Sequence, residues 1–419
     1  MPGLRTSCLF VPFVVFPLLT VVDQDYPQFR GPAADGHATV RNLPTTWNET
    51  TNIAWKTPIP GKGWSSPSLY QGRLYLTTAV ASAPAREAGD LSLRALCVDS
   101  NTGKIVWDRE VFLQAAATAP KIHTKNSHAS PTPLVTSDRL FVHFGHQGTA
   151  CLDHAGNPIW KNSSLSYEPV HGNGGSPILA AGRLIFTADG ASNPAVIALD
   201  ATTGDVAWRF ERPGNPVKKF SFCTPMVYDA DGQTQVICPG SGVVNALDPA
   251  TGKEIWRAQY DGYSVIPKPI IGHGLIFMST GYDSPEVLAI RTGGTGDVTD
   301  SHIAWRLTKG APHTPSLLLV GDELYMVSDK GVATCVDART GKEHWQQRLG
   351  GNYSSSPVFA DGKIYIQSEE GPALVLRPGK RFQKIADAGF KERTLASYAV
   401  GDGALYIRTA ESLYRVQSE

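Results

Sequence analysis

Eight short segments of this chain carry side chains that could hold a polar ligand. They are Gly61-Lys-Gly-Trp64, Lys125-Asn-Ser-His128, His171-Gly-Asn173, Lys218-Lys-Phe-Ser221, Tyr260-Asp-Gly-Tyr-Ser264, Pro312-His313, Asn352-Tyr353 and Glu392-Arg-Thr394. Six of them run into a Ser-Pro or Thr-Pro pair, at Pro67, Pro131, Pro177, Pro225, Pro315 and Pro357. The segments differ from one another, whereas a purely structural repeat would keep them alike. The candidate ligand-binding set is Lys125, Asn126, His128, His171, Asn173, Lys219, Tyr263, His313 and Tyr353. Ammonium and imidazole groups beside aromatic rings suit an anionic or sugar-like ligand. If these side chains converge, they predict an electropositive mouth with aromatic walls.

Other chemistry is weakly represented. His143-Phe-Gly-His146 has two imidazoles but no carboxylate at metal-ligand spacing, so no metal is expected. Gly293-Gly-Thr-Gly-Asp297 is glycine-rich, yet no helix pattern follows it as a phosphate loop requires. It reads as an insertion in a hairpin of the fifth repeat. Asp229-Ala-Asp-Gly232 lacks the later acids of a calcium loop. No Gly-x-Ser-x-Gly, His-Glu-x-x-His or Walker-type motif is present. No residue is assigned a catalytic role.

The elements that must position the candidate segments come from a repeat. Ala246-Leu-Asp-Pro-Ala-Thr-Gly-Lys-Glu-Ile-Trp256 has counterparts at Ala198–Trp208, Cys97–Trp107 and Cys335–Trp345, with a shorter copy at Cys151–Trp160. Successive tryptophans, from Trp55 to Trp345 through Trp305, lie 40 to 53 residues apart. Periods of that size mean propellers or solenoids. Each unit divides into four short alternating strands. In the third-to-fourth hairpin, Asp99, Asp153, Asp200, Asp248 and Asp337 should accept backbone N–H bonds from residues just ahead. The following glycine closes the turn at positive φ. Trp55, Trp107, Trp160, Trp208, Trp256, Trp305 and Trp345 should dock on the next unit. These aspartates and tryptophans are therefore read as structural.

Seven units begin at Pro67, Pro131, Pro177, Pro225, Pro267, Pro315 and Pro357. An eighth, Thr394 to Val416, has three evident strands, and Thr51–Lys56 supplies a fourth from the other end of the chain. The expectation is all-β: a single eight-bladed β-propeller of four-stranded antiparallel blades, its last blade closed by an N-terminal strand. The divisions are a leader over 1–22, an extension over 23–50 and the propeller over 51–419. Leu9–Val22 is apolar after Arg5, short for a bilayer span and interrupted by Pro12 and Pro17, as in a signal peptide. No Ala-x-Ala-like triplet precedes Asp23, so an uncleaved anchor is the alternative.

The 419 residues carry 38 basic and 38 acidic side chains, net zero, which argues against a nucleic-acid partner. Hydrophobic residues make up 42% and charged residues 18%, which fits a globular chain; 41 glycines and 30 prolines demand many turns. Cys97, Cys151 and Cys335 share one repeat position and read as small core residues. Cys223 and Cys238 flank a hairpin; free thiols are expected there in preference to a disulfide.

These residues resemble the pyrroloquinoline-quinone-type repeat, with its signature Ala-x-Asp-x-x-x-Gly-x-x-x-Trp. That resemblance implies the propeller of quinoprotein alcohol dehydrogenases and of the outer-membrane assembly factor BamB, the latter without a cofactor. Tyr26-Pro-Gln-Phe-Arg-Gly-Pro32 looks like the opening motif of a family of exported bacterial propellers, as do Gly63-Trp-Ser-Ser-Pro67, Lys125–Pro131 and His171–Pro177. The dehydrogenases stack their quinone on a vicinal disulfide and bind calcium. Here no Cys-Cys pair and no Cys-x-x-Cys-His haem site exists, so neither quinone nor calcium is expected. The resemblance implies a binding or scaffold propeller, periplasmic or secreted, monomeric, with a protein or glycan partner in the envelope. A small-ligand receptor or enzyme using Lys125, His128, His171 and His313 is the alternative, and a quinone-dependent dehydrogenase comes last.

Overall fold

The computed structural model describes residues 25–81, 89–165, 167–214, 216–230 and 232–418. The leader, Cys8 and Asp231 of the fourth-blade hairpin lie outside them. Eight four-stranded antiparallel blades follow one another in a ring, seven of them built in chain order, and the first strand of each lines the channel. The eighth sheet is completed by Ile53–Pro58, which pairs antiparallel with Ser412–Gln417 near the C-terminus. Closure therefore seals an edge that three strands alone would expose.

The repeat motif works as its residue types dictate. Asp248 Oδ1 accepts from Ala250 N, Thr251 N and Thr251 Oγ1, at 2.9 to 3.0 Å. Asp99 and Asp337 cap their turns in the same way, and Asp200 takes two backbone N–H groups. In the shorter copy, Asp153 is bonded by Asn157. Trp208 Nε1 then donates to Pro249 O in the next blade at 2.9 Å, just after Asp248. Gly252 sits under that ring at φ +73°, where a Cβ would lie 2.6 Å from it. Trp55, Trp107, Trp160 and Trp305 make the equivalent bond to Ser100, His154, Ala201 and Ala338, and Trp345 reaches Gly379 O. Six of the eight blade junctions are latched in this way.

Two departures stand out. Residues 292–302 are inserted between the third and fourth strands of blade five; Gly296–Asp297 joins the outer edge of blade four as a fifth strand, and Thr299–His302 forms one helical turn. Trp256 lies against this insertion and bonds Gln235 Oε1 instead of a turn carbonyl. The second departure is at the N-terminus. His37–Ala38 pairs parallel with Val358–Ala360, the inner strand of blade seven. Tyr26, Ala38, Leu43 and Trp47 are all buried in the core between blades seven, eight and one. The five described cysteines are buried and free, Cys223 and Cys238 among them.

Every inner strand starts two residues after a position that forms a ring around the channel: Ser66, Thr132, Ser176, Thr224, Lys268, Ser316, Ser356 and Ser397. Ser66 N donates to Thr132 Oγ1, Thr132 N to Ser176 Oγ and Ser176 N to Thr224 Oγ1. The chain resumes with Lys268 N to Ser316 Oγ, Ser316 N to Ser356 Oγ and Ser356 N to Ser397 Oγ. Ser397 N closes the circle on Ser66 Oγ. Only Lys268 offers no hydroxyl to the blade before it.

Candidate functional site

The segments that lead into the inner strands surround a central cavity of about 730 Å³. All seven ring hydroxyls line it, and so does Phe29 of the N-terminal segment. That segment lies beyond the ring, seen from the lead-in segments. Tyr26 exchanges backbone bonds with Leu69, and Pro27 O accepts from Val135 N. On the opposite side of the channel, Arg30 donates to Leu317 O and Pro357 O, and His37 Nε2 meets Leu319 O. The chain thus crosses the inner end of the channel from blades one and two to blades six and seven. The cavity is blind, with Phe29 at its floor.

Five of the nine candidate residues line it: Lys125, Asn126, His171, Tyr263 and His313. Four do not. His128 stays partly buried beside it, where desolvation pushes the imidazole below its usual range. Asn173 binds Tyr167 Oη and His146 beside a separate cavity of about 10 Å³. Lys218, not Lys219, faces the mouth. Tyr353 is packed in the core between blades six and seven.

The wall has an aromatic arc that the candidate set only samples. His123, His171, Phe220, Tyr263, Tyr282 and His313 follow one another edge to face, with centroid spacings of 5.1 to 6.2 Å. Trp64 and Phe222 complete the aromatic lining. Backbone bonds between neighbouring loops fix the arc: His123 N to His171 O, Ser264 N to Phe220 O, and Tyr282 N to Tyr263 O. His171 itself is held at φ +63°, an uncommon conformation for a residue with a Cβ, and Asn126 Nδ2 donates to its carbonyl at 2.9 Å. Burial, then the neighbouring His123, keep the His171 imidazole below its usual range, so it is neutral at pH 7.

The mouth is not electropositive. Lys125 Nζ lies 2.6 Å from Glu369, whose other oxygen is 3.8 Å from Arg393. Lys218 sits over the Tyr263 ring at 3.8 Å and faces Asp283 at 3.5 Å, while Tyr263 Oη donates to Asp283. Lys330 reaches Asn352, which is bonded to Glu370. Asp329 spends its oxygens on His313 N, Thr314 N and Thr314 Oγ1. Lys125, Lys218, Lys330 and Arg393 are thus offset by Asp283, Asp329, Glu369 and Glu370.

Elsewhere, the imidazoles of His143 and His146 are each bonded to a different neighbour, Thr149 and Asn173. His143 is buried, its Nδ1 2.8 Å from Thr149 Oγ1. Burial pushes it down to about 3, and His146 to about 4. Among the described residues, no group of three His, Cys, Asp or Glu side chains could hold a metal ion.

A family profile described as "Outer membrane protein assembly factor BamB" matches residues 92–296 and 295–377. The chain belongs to that family. A curated BamB of Burkholderia pseudomallei is 29% identical over 118 residues, 27% of this chain and 30% of its own. The BamB of Yersinia pestis is 25% identical over 223 residues, 48% of this chain and 53% of its own. A tetrathionate hydrolase of Acidithiobacillus ferrooxidans is 23% identical over 251 residues, 56% of this chain and 48% of its own. The chain thus spans a third to a half of these relatives. Among solved structures, BamB of Moraxella catarrhalis superposes with a TM-score of 0.60 at 14% identity, over 88% of this chain and 97% of that one. A quinohemoprotein alcohol dehydrogenase of Comamonas testosteroni gives 0.67 at 13% identity, over 94% and 81%. Those two likenesses speak for the fold alone. No helix among the described residues is long and apolar enough to cross a membrane.

Proposed function

We propose that this protein is an exported binding propeller of the cell envelope, and that its blind central cavity takes an uncharged, polyhydroxylated ligand such as the end of a glycan chain. The observation that carries this reading is the aromatic arc above a ring of hydroxyls, with Lys125 and Lys218 already paired to carboxylates. Ring faces suit the C–H faces of a sugar, and Ser, Thr, Asn and His groups suit its hydroxyls. A strongly anionic ligand would have to displace Glu369 from Lys125 and Asp283 from Lys218.

The same pairing argues against pyrroloquinoline quinone. Its carboxylates would need free cations, and the calcium beside it would need a carboxylate cluster. The donor set does not fit. The Lys–His enzyme reading is also disfavoured, because His128 stands outside the cavity and Lys125 is committed to Glu369.

The test is calorimetric titration with neutral oligosaccharides, set against acidic sugars of equal size. The expected result is saturable binding of a neutral sugar. Trp64→Ala and Tyr263→Ala should each weaken it about tenfold, on the order of 1.4 kcal/mol. Binding of acidic sugars alone would overturn the reading. The family description favours one other occupant, a protein seated on the same mouth. Retention of an envelope protein with no sugar bound would carry that reading instead.

A further inference from the structure

The ring around the channel has seven hydroxyl positions and one lysine, and the lysine is where the N-terminal segment comes down. Lys268 is 1% exposed, and no protein atom accepts a bond from its ammonium. Its backbone N–H goes to Ser316 Oγ, and the next residue, Leu317, gives its carbonyl to Arg30. The two cations are therefore brought to one place by consecutive residues of blade six.

Arg30 is also 1% exposed. Its terminal nitrogens are spent on the carbonyls of Asp35, Leu317 and Pro357, which leaves Nε–H with no protein acceptor. Tyr26, fully buried on the same segment, has an unpartnered hydroxyl. Two buried cationic donors thus lack acceptors where the segment meets blade six. The charged and titratable groups acting on Lys268 are Arg30, Cys223 and Asp35. Two cations and one carboxylate leave one positive charge in excess, and Cys223 is held as a neutral thiol, mainly by burial. An unpaired ammonium is among the most costly groups to bury. None of Lys268, Arg30 and Tyr26 lines the large cavity, so the place is separate from the mouth.

We propose that a monovalent inorganic anion of chloride size is held between the Lys268 ammonium and the Arg30 Nε–H group, and that it ties the N-terminal segment to the ring. One negative charge balances the excess. A monatomic ion accepts from donors in any direction, which suits an ammonium and a guanidinium edge approaching from different segments of the chain. Burial, and then Arg30, push Lys268 down to about 7, so near neutral pH it would otherwise shed its proton readily. This site does not depend on what the mouth binds.

The decisive measurement is an anomalous map from crystals of the wild-type protein grown in sodium bromide. A bromide peak in contact with Lys268 Nζ and Arg30 Nε is expected. The companion experiment melts chloride-free protein in sodium gluconate against sodium chloride at equal ionic strength. The wild type should gain about 3–5 °C in chloride, and Lys268→Met should gain nothing. An empty map at this position, or equal responses of wild type and variant, would overturn the proposal; a dry, neutral lysine or a single water would then account for Lys268. The bromide map needs no variant, so a Lys268→Met protein that fails to fold does not remove the test.

Discussion

Single residues separate into those whose role is set by covalent type and those whose role is set by what arrives from elsewhere. His143 shows the first kind. Its imidazole is buried against Phe186 at 4.3 Å between ring centroids, so the neutral form is required. A histidine with a depressed folded pKa contributes stability that is fully present above its unfolded value, near 6.5, and lost as pH falls toward about 3. Acid unfolding of His143→Gln should accordingly be shallower than that of the wild type between pH 6.5 and 4, measured by denaturant midpoints at each pH. Lys218 and Lys219 show the second kind. Of these adjacent loop residues Lys218 lines the mouth and Lys219 does not, and nothing in composition says which one will. Tyr353 and His128 were sensible site candidates by type, but an aromatic ring or a neutral imidazole fits a core equally well.

Elements were legible where their signals are local. An aspartate, a glycine and a tryptophan within one hairpin announce both the turn and the latch, and the structure places them as their spacing implies. The latch makes a quantitative prediction. Trp208→Phe keeps most of the packing but leaves the Pro249 carbonyl without its donor, and should cost about 1–3 kcal/mol by chemical denaturation. Gly252→Ala should destabilise as well, because its Cβ would press on the same ring at positive φ. Trp256→Phe tests a different contact, since its partner is the Gln235 side chain. The two-residue strands at His37–Ala38 and Gly296–Asp297 were not legible, being too short to show alternation. The larger omission concerns the mouth. In an antiparallel blade, the segment before the first strand and the loop between the second and third emerge on the same face. Tyr282, Asp283, Asp329, Lys330, Glu369 and Glu370 all come from such loops. Lys125, Lys218 and Arg393 lie in lead-in segments, whereas Glu369 and Asp283, which pair with them, lie in these loops and outside the candidate set.

At the scale of the molecule, the count of eight blades followed from the repeat period, and the closure followed from the missing strand. What no period could reveal is that residues 26–37 cross the channel, because a segment used once leaves no repeat to compare. Its motif has a mechanical content: Tyr26 and Pro27 grip one side, Arg30 grips the other, and Phe29 faces the cavity between them. The two N-terminal contributions can be separated by truncation. Removing residues up to 36 should leave a closed ring whose channel is open at both ends, with sugar binding lost and folding retained. Removing residues up to 58 should also strip Ile53–Pro58 from Ser412–Gln417, exposing that strand to self-association in light scattering.

The same closure governs the order in which the molecule can be built. The contacts of Ile53–Pro58 lie some 360 residues away along the chain, and those of Arg30 with Pro357 span 327. Blades one to seven can assemble from neighbouring sequence as the chain lengthens, with the tryptophan latch holding five of their six junctions. The last blade and the channel floor cannot form until the C-terminal residues exist. The first-made segment is then the last to settle, and pairing of such high contact order is intrinsically slow. Refolding should therefore show a fast phase reporting the sheets and a slower one reporting Phe29 and the cavity, with an open horseshoe as the species in between.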